Sequence, residues 1–183
     1  GLPIRGRLFI FAGPLIPRKN PTGLIKALKR RAAQGDTLVI LGDGPLLPQC
    51  EALTRDAPNI ALPGAKANVA DYLCLADCFV SASHAEGLPN AVLEALACSL
   101  PVLLSDIPAH REILALSSAA GELFSIDRPD SLNEAIQNFE ITNDRRTAAR
   151  ALAMEHFSAE AMSRSYQQLY RQQLVAVVTE TRS

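Results

Sequence analysis

Short, unbroken apolar runs alternate along this chain with longer stretches of mixed polarity. The runs predict strands over Arg7–Ala12, Thr37–Leu41, Asn59–Leu62, Cys78–Ala82, Pro101–Ser105 and Glu122–Ile126. The stretches between them predict helices from Pro21 to about Ala33, over Leu46–Arg55 and Val69–Ala76, up to about Ser99, and over Ala109–Leu114. Asn20-Pro21 offers an N-cap followed by a first-turn proline. Continuous apolar runs, rather than alternating ones, mark strands buried on both faces, hence a parallel sheet with helices on each side. Strand–helix repetition of this kind gives a doubly wound, Rossmann-like α/β domain. Ligands bind such sheets beyond the carboxyl ends of the strands. Gly13, Gly42 to Gly44 and the 83–90 turn all follow strand ends, so they should gather on one rim.

After Ile126 the pattern is purely helical, with helices expected over Asp130–Phe139 and Asp144–Glu155 and a third starting at Ser158. Ser158 is a good N-cap, and Phe157 with Met162 has the spacing of a hydrophobic staple. The last helix aligns Met162, Tyr166, Leu169, Tyr170, Leu174 and Val177 on one stripe, part of which calls for a partner outside this chain. The expected organisation is a linker remnant over 1–6, a nucleotide-sugar-binding domain over 7–157 and a C-terminal helix over 158–183. Gly1-Leu2-Pro3-Ile4-Arg5-Gly6 reads as a linker leading into a strand, as in a piece cut from a longer chain, so targeting signals are not legible.

Length and charge narrow the function classes. At 183 residues the chain can bury one sizeable core. A net charge of −1 supplies no broad basic field for nucleic acid, so any phosphate binding must be local. No apolar run approaches the ~18 residues of a membrane span. The 4 cysteines, at 50, 74, 78 and 98, form no CxxC pair and read as buried reduced thiols rather than a zinc site. There is no GxGxxG, GxSxG, HExxH or Asp-x-Asp, and Gly42-Asp43-Gly44-Pro45 lacks the Lys-Ser/Thr of a P-loop.

The segment Glu86-Gly87-Leu88-Pro89-Asn90-Ala91-Val92-Leu93-Glu94 is the chemically richest. Pro89 suits a first helical turn, which would leave the amides of Asn90, Ala91 and Val92 free to meet a phosphate. Gly87 allows close backbone approach. Carboxylates repel phosphate but accept hydrogen bonds from hydroxyls, so the segment suits a diphosphate carrying a sugar at one end and a ribose at the other. A plain strand-to-helix turn with capping or solvated glutamates fits the same residues. Arg18-Lys19 sits on the same rim, as a diphosphate partner or a solvated basic pair. Lys26, Lys29, Arg30 and Arg31 read as the exposed face of the first helix. Of the 3 histidines, His84 is placed best for a site, His110 sits in a loop after a strand end, and His156 is a surface residue.

At these residues the chain resembles a known family. Glu86 to Glu94 is similar to the E-x7-E signature of retaining, two-domain GT-B glycosyltransferases of family 4 (group 1). Phe11-Ala12-Gly13 through Pro17-Arg18-Lys19, Leu38–Pro45, Ala76–Val80 and Leu93–Pro101 resemble the family's other segments in its order, so the likeness covers roughly 7 to 115. It implies the C-terminal, donor-binding half of such an enzyme. Glu86 and Lys19 would then be the catalytic positions, Glu86 touching the donor sugar and Lys19 countering the leaving diphosphate. Gly13, Arg18, Gly87, Leu88 and Asn90 would meet the diphosphate and sugar, Glu94 the ribose hydroxyls, and the backbone at Ala65 or Lys66 the base. Neither glutamate is assigned as acid or base. The resemblance further implies transfer with retained anomeric configuration, no cofactor, no required metal, and a UDP-sugar donor in preference to a GDP-sugar.

By the same resemblance the acceptor is an envelope glycan or lipid-linked glycan, bound through an N-terminal domain that this chain lacks. The full-length protein would be bacterial, cytoplasmic and peripheral at the inner face of the membrane. These 183 residues alone should bind donor without turnover. The chain departs from the pattern at Pro14 (usually arginine), Pro89 (often glycine) and Ser99 (commonly glycine), of which Pro14 removes a phosphate cation that Arg18 could replace. The competing readings are a non-catalytic nucleotide-binding or interaction module and an epimerase of the same architecture.

Overall fold

The computed structural model describes residues 5–128 and 130–180, the last nine of these as helical backbone only. Six parallel strands form one sheet: β1 (Leu8–Ala12), β2 (Thr37–Leu41), β3 (Ile60–Gly64), β4 (Cys78–Ser81), β5 (Val102–Ser105) and β6 (Gly121–Phe124), in the order β3-β2-β1-β4-β5-β6. Helices α1 (Pro21–Lys29), α2 (Leu47–Thr54), α3 (Val69–Leu75), α4 (Asn90–Ala97), α5 (Pro108–Leu116), α6 (Ser131–Asn138), α7 (Asn143–Leu152) and α8 (Ala159–Glu180) complete the chain. This is the doubly wound α/β arrangement the apolar runs predict. The strand order reverses between β1 and β4, which opens a crevice at their carboxyl ends.

Successive strand residues enter opposite cores, as the two-residue strand period requires. Ile10, Val39, Phe79, Val102 and Leu104 pack with Leu73, Val92, Leu96 and Leu152 of α3, α4 and α7. Phe9, Phe11, Leu38, Ile40, Val80 and Leu103 pack with Leu24, Ile25, Leu28 and Ile136 of α1 and α6. Every residue of β1, β2, β4 and β5 is buried, which explains why these strands read as apolar runs without alternation.

Element ends follow local chemistry. Asn20, in the left-handed region at φ 50°, accepts the Gly23 amide on its side chain at 3.2 Å and caps α1. That helix ends at Lys29 and is followed by a short 3-10 turn, Ala32–Gln34, rather than continuing to Ala33. Arg31 turns inward and joins Arg7 on the buried Asp36 carboxylate, at 3.2 and 2.7 Å, instead of lining the exposed helix face. Ser158 caps α8 through the Ala161 amide at 3.1 Å. Met162, Tyr166, Leu169 and Tyr170 of α8 are exposed, while the side chains of Leu174 and Val177 lie outside the described residues, as does the linker at 1–4. The cysteines divide: Cys50 and Cys78 are buried, Cys98 is half-buried and Cys74 is exposed. The expectation of four buried thiols fails at Cys74 because it faces outward at the end of the short helix α3.

Candidate donor-binding site

The loops after β1 and β4 meet at the crevice. Gly13 follows β1 with φ 153°, and the Gly13 amide donates to the Leu41 carbonyl at 2.9 Å. Gly42, at φ 150°, lies so close that a Cβ there would come within 1.9 Å of the Gly13 carbonyl oxygen. Only glycine lets the β1 and β2 loops nest this tightly. A 3-10 turn, Pro17–Lys19, then carries Arg18 and Lys19 across to the β4 loop. The His84 amide donates to the Arg18 carbonyl at 2.8 Å and joins the two loops through their backbones.

Glu86 sits at this junction with its side chain only 4% exposed. Its Oε1 accepts from the Lys19 Nζ at 2.5 Å and its Oε2 from the Arg18 guanidinium at 2.9 Å. Arg18 also donates to the Ala85 carbonyl at 2.7 Å. Burial pushes the Glu86 carboxyl up, but hydrogen bonds from Lys19 and Ser83 and the charges of Lys19 and Arg18 outweigh it. The net result holds Glu86 below the usual glutamate range and ionised.

A cleft of about 460 Å³ lies over this ion cluster. It is lined by Gly13, Arg18, Lys19, Glu86, Gly87, Leu88, Asn90 and Glu94, together with Ala12, Pro14, Val69 and Ala91. Eight of the ten expected site residues therefore share one cavity. Ala65 and Lys66 do not line it: they are exposed beyond β3, at the outer edge of the sheet, though on the same rim. Val69, at the start of α3, lines the cleft and was not singled out from the sequence, where nothing but its position after the Gly64 turn marks it. A second cavity of about 200 Å³ opens between α1 and α6, but Arg30 and Arg128 on its wall are already paired to Asp130 and Glu134.

The helix start differs from expectation. Pro89 is the N-cap of α4, not a residue of its first turn, and carries φ −81° and ψ 73°. The Asn90 amide donates to Leu88 at 3.0 Å, and the Val92 amide to Pro89 at 2.9 Å. Two of the three amides expected to be free are thus occupied by a tight turn, and Ala91 alone keeps no backbone partner among the described residues. The Glu94 carboxylate, one turn further on, is exposed and has no hydrogen-bonding partner among the described residues.

The arrangement can hold a ligand that is anionic in the middle and hydroxylated at both ends. Lys19, Arg18 and the Ala91 amide supply positive potential. Glu86 and Glu94 supply acceptors on either side. No helix among the described residues is long and apolar enough to cross a membrane, and no cluster of three or more metal-ligating side chains occurs among them.

A parallel α/β domain with a polar cleft at its strand-order reversal belongs to the doubly wound folds, which place their ligand sites at that crevice. Within that class the chain belongs to the glycosyl transferases group 1 family, whose pattern it matches over residues 6–140. A Bacillus subtilis protein named as a teichuronic acid biosynthesis glycosyltransferase, TuaC, is 30% identical over 91% of this chain and 43% of its own. The UDP-Gal:alpha-D-GlcNAc-diphosphoundecaprenol alpha-1,3-galactosyltransferase of Escherichia coli is 29% identical over 79% of this chain and 39% of its own. Among solved structures, Anabaena HepE in complex with UDP superposes with a TM-score of 0.78 at 18% identity, over 91% of this chain and 49% of that one. That likeness establishes the GT-B-type fold of the domain. The chain spans less than half the length of the curated relatives it matches.

Proposed function

We propose that this domain is the C-terminal, donor-binding half of a retaining family 4 glycosyltransferase. It binds a nucleotide sugar, UDP-linked in preference to GDP-linked, in the cleft between the β1 and β4 loops. The diphosphate sits against Lys19, Arg18 and the Ala91 amide. Glu86 faces the sugar and Glu94 the ribose, while Ala65 and Lys66 receive the base only if the ligand extends past Val69 towards β3. Leaving-group stabilisation by Lys19 is the domain's electrostatic contribution to transfer. The acceptor, an envelope or lipid-linked glycan, is bound by an N-terminal domain, against which the exposed stripe of α8 packs.

The observation that carries this reading is the convergence of Lys19, Arg18, Glu86 and Glu94 on one cleft at the strand-order reversal. One relative, whose name specifies UDP-galactose and a diphosphoundecaprenol acceptor, supports the choice of substrates, while mannosyltransferases named for GDP-mannose make GDP the alternative nucleotide. Calorimetric titration with UDP, GDP and ADP tests it: UDP should bind most tightly, and failure of all three at millimolar concentration would contradict the proposal. The isolated chain should bind without transferring sugar, and rapid transfer by it alone would overturn the assignment to one half of the enzyme.

A further inference from the structure

Beneath the Glu86 loop lies a buried polar chain that the donor contacts do not use. Ser83, Ser105 and His110 are all fully buried. Ser105 ends β5, and its hydroxyl donates to the Ser83 carbonyl at 2.6 Å. His110, in the first turn of α5, places Nδ1 2.8 Å from the Ser105 carbonyl and 3.3 Å from the Ser105 Oγ. On the other side the Ser81 and Ser83 hydroxyls are 3.1 Å apart.

This geometry dictates the histidine tautomer. A carbonyl can only accept, and the Ser105 hydroxyl has committed its proton to Ser83. Nδ1 must therefore carry hydrogen. Nε2 is then a bare lone pair, and it is buried with no partner among the described residues. A second proton at Nε2 would bury a charge with no hydrogen-bond acceptor for it among the described residues. Burial accordingly pushes the imidazole below its ordinary range, against the opposing pull of the Ser105 carbonyl and the Glu86 charge, with Lys19 adding to the lowering. The ring is a fixed neutral donor.

The loop it supports is clamped twice. From above, the His84 amide is tied to the Arg18 carbonyl at 2.8 Å. From below, the Ser83 carbonyl is tied through Ser105 to His110. We propose that His110 is a positioning residue for Glu86: its Nδ1–H, acting through Ser105 and the Ser83 carbonyl, holds the Ser83–Glu86 loop at the height from which Glu86 reaches the donor sugar. This rests on the donor-binding reading above. His110 acts first on the sugar end of the ligand, because the loop it supports carries Glu86, and reaches the diphosphate only secondarily through the Glu86 pairs with Arg18 and Lys19 of the β1 loop.

The test is titration of wild type, His110→Ala and His110→Asn with UDP and with UDP-glucose, UDP-galactose and UDP-N-acetylglucosamine. In His110→Ala, the tightest-binding sugar nucleotide should lose roughly three- to tenfold in affinity, the worth of one misplaced hydrogen bond, and UDP distinctly less. His110→Asn, which keeps an N–H donor near the Nδ1 position, should restore the sugar-specific part. Equal losses for UDP and UDP-sugar, or no loss in either, would overturn the role of His110 and leave donor binding intact. Wild type that binds none of these ligands would instead refute the donor reading. Nitrogen-15 imidazole shifts of ligand-free wild type should show a neutral Nδ1–H ring at neutral pH, and an Nε2–H tautomer would break the proposed chain without reference to any ligand.

Discussion

Lys19 and Glu86, 67 positions apart in sequence, meet at 2.5 Å on the floor of the cleft. The contact makes Glu86 the resting counter-ion of a cation assigned here to the donor diphosphate. On the proposed reading, an arriving diphosphate would compete with Glu86 for Lys19, and the Oε1 so released would become available to a sugar hydroxyl. The two assigned roles are therefore coupled.

Removing Lys19 leaves a buried carboxylate with Arg18 as its remaining cation. Lys19→Ala should lower stability by about 1–3 kcal/mol, less than for a fully unpaired buried charge because Arg18 stays. Glu86→Gln in the same chain should recover part of that loss. Chemical denaturation of the two single variants and the double variant gives the coupling energy, and additive losses would show that the pair contributes nothing.

Glu94 is exposed and has no partner among the described residues, so its truncation should leave the fold intact. Glu94→Ala should weaken UDP binding by roughly 1–2 kcal/mol with no change in melting temperature. A ribose-lacking analogue such as pyrophosphate should not register the substitution. Unchanged affinity for UDP would remove Glu94 from the site.

Acid should destabilise the domain in two stages. His110 has its folded pKa pushed below the ordinary ~6.5. As pH falls below that value the unfolded chain takes up a proton that the folded ring does not, so stability drops. Glu86 is held below the usual glutamate range, so its contribution is present above about pH 4.5 and is lost as pH falls through the lower folded value. Thermal melts from pH 8 down to about pH 2 should show both declines in wild type, and His110→Asn should lack the first. An identical profile in that variant would assign the first stage to other groups.

The contact between the β1 and β2 loops is a structural demand with a functional consequence. Gly42→Ala puts a Cβ against the Gly13 carbonyl and requires the backbone to move at a φ that L-residues avoid. Stability should fall by more than about 1 kcal/mol, and UDP binding should weaken because Gly13 lines the cleft. Native melting with native affinity would mean that the loops separate freely.

The fold was legible because buried parallel strands leave a simple trace, and β2 begins and ends where the apolar run Thr37–Leu41 does. Most of the cleft was legible because its residues follow strand ends. Three features were not. The start of α4 is governed by a turn at Leu88 and Pro89, whose carbonyls occupy amides that a helix pattern would leave free. The burial of Glu86 depends on cations from a loop far away in sequence. His110, read as a loop residue although the expected helix Ala109–Leu114 contains it, lies in α5 and is buried with Ile113 and Leu114, an i, i+3, i+4 spacing that would have marked it as inward-facing.

Amide chemical-shift mapping with UDP tests the central claim most directly, because it reports where the ligand sits as well as whether it binds. The account predicts saturable shifts at Gly13, Lys19, Gly87, Leu88 and Ala91, with the amides lining the α1–α6 cavity unmoved. Saturable shifts confined to that second cavity, or none at millimolar UDP, would contradict it.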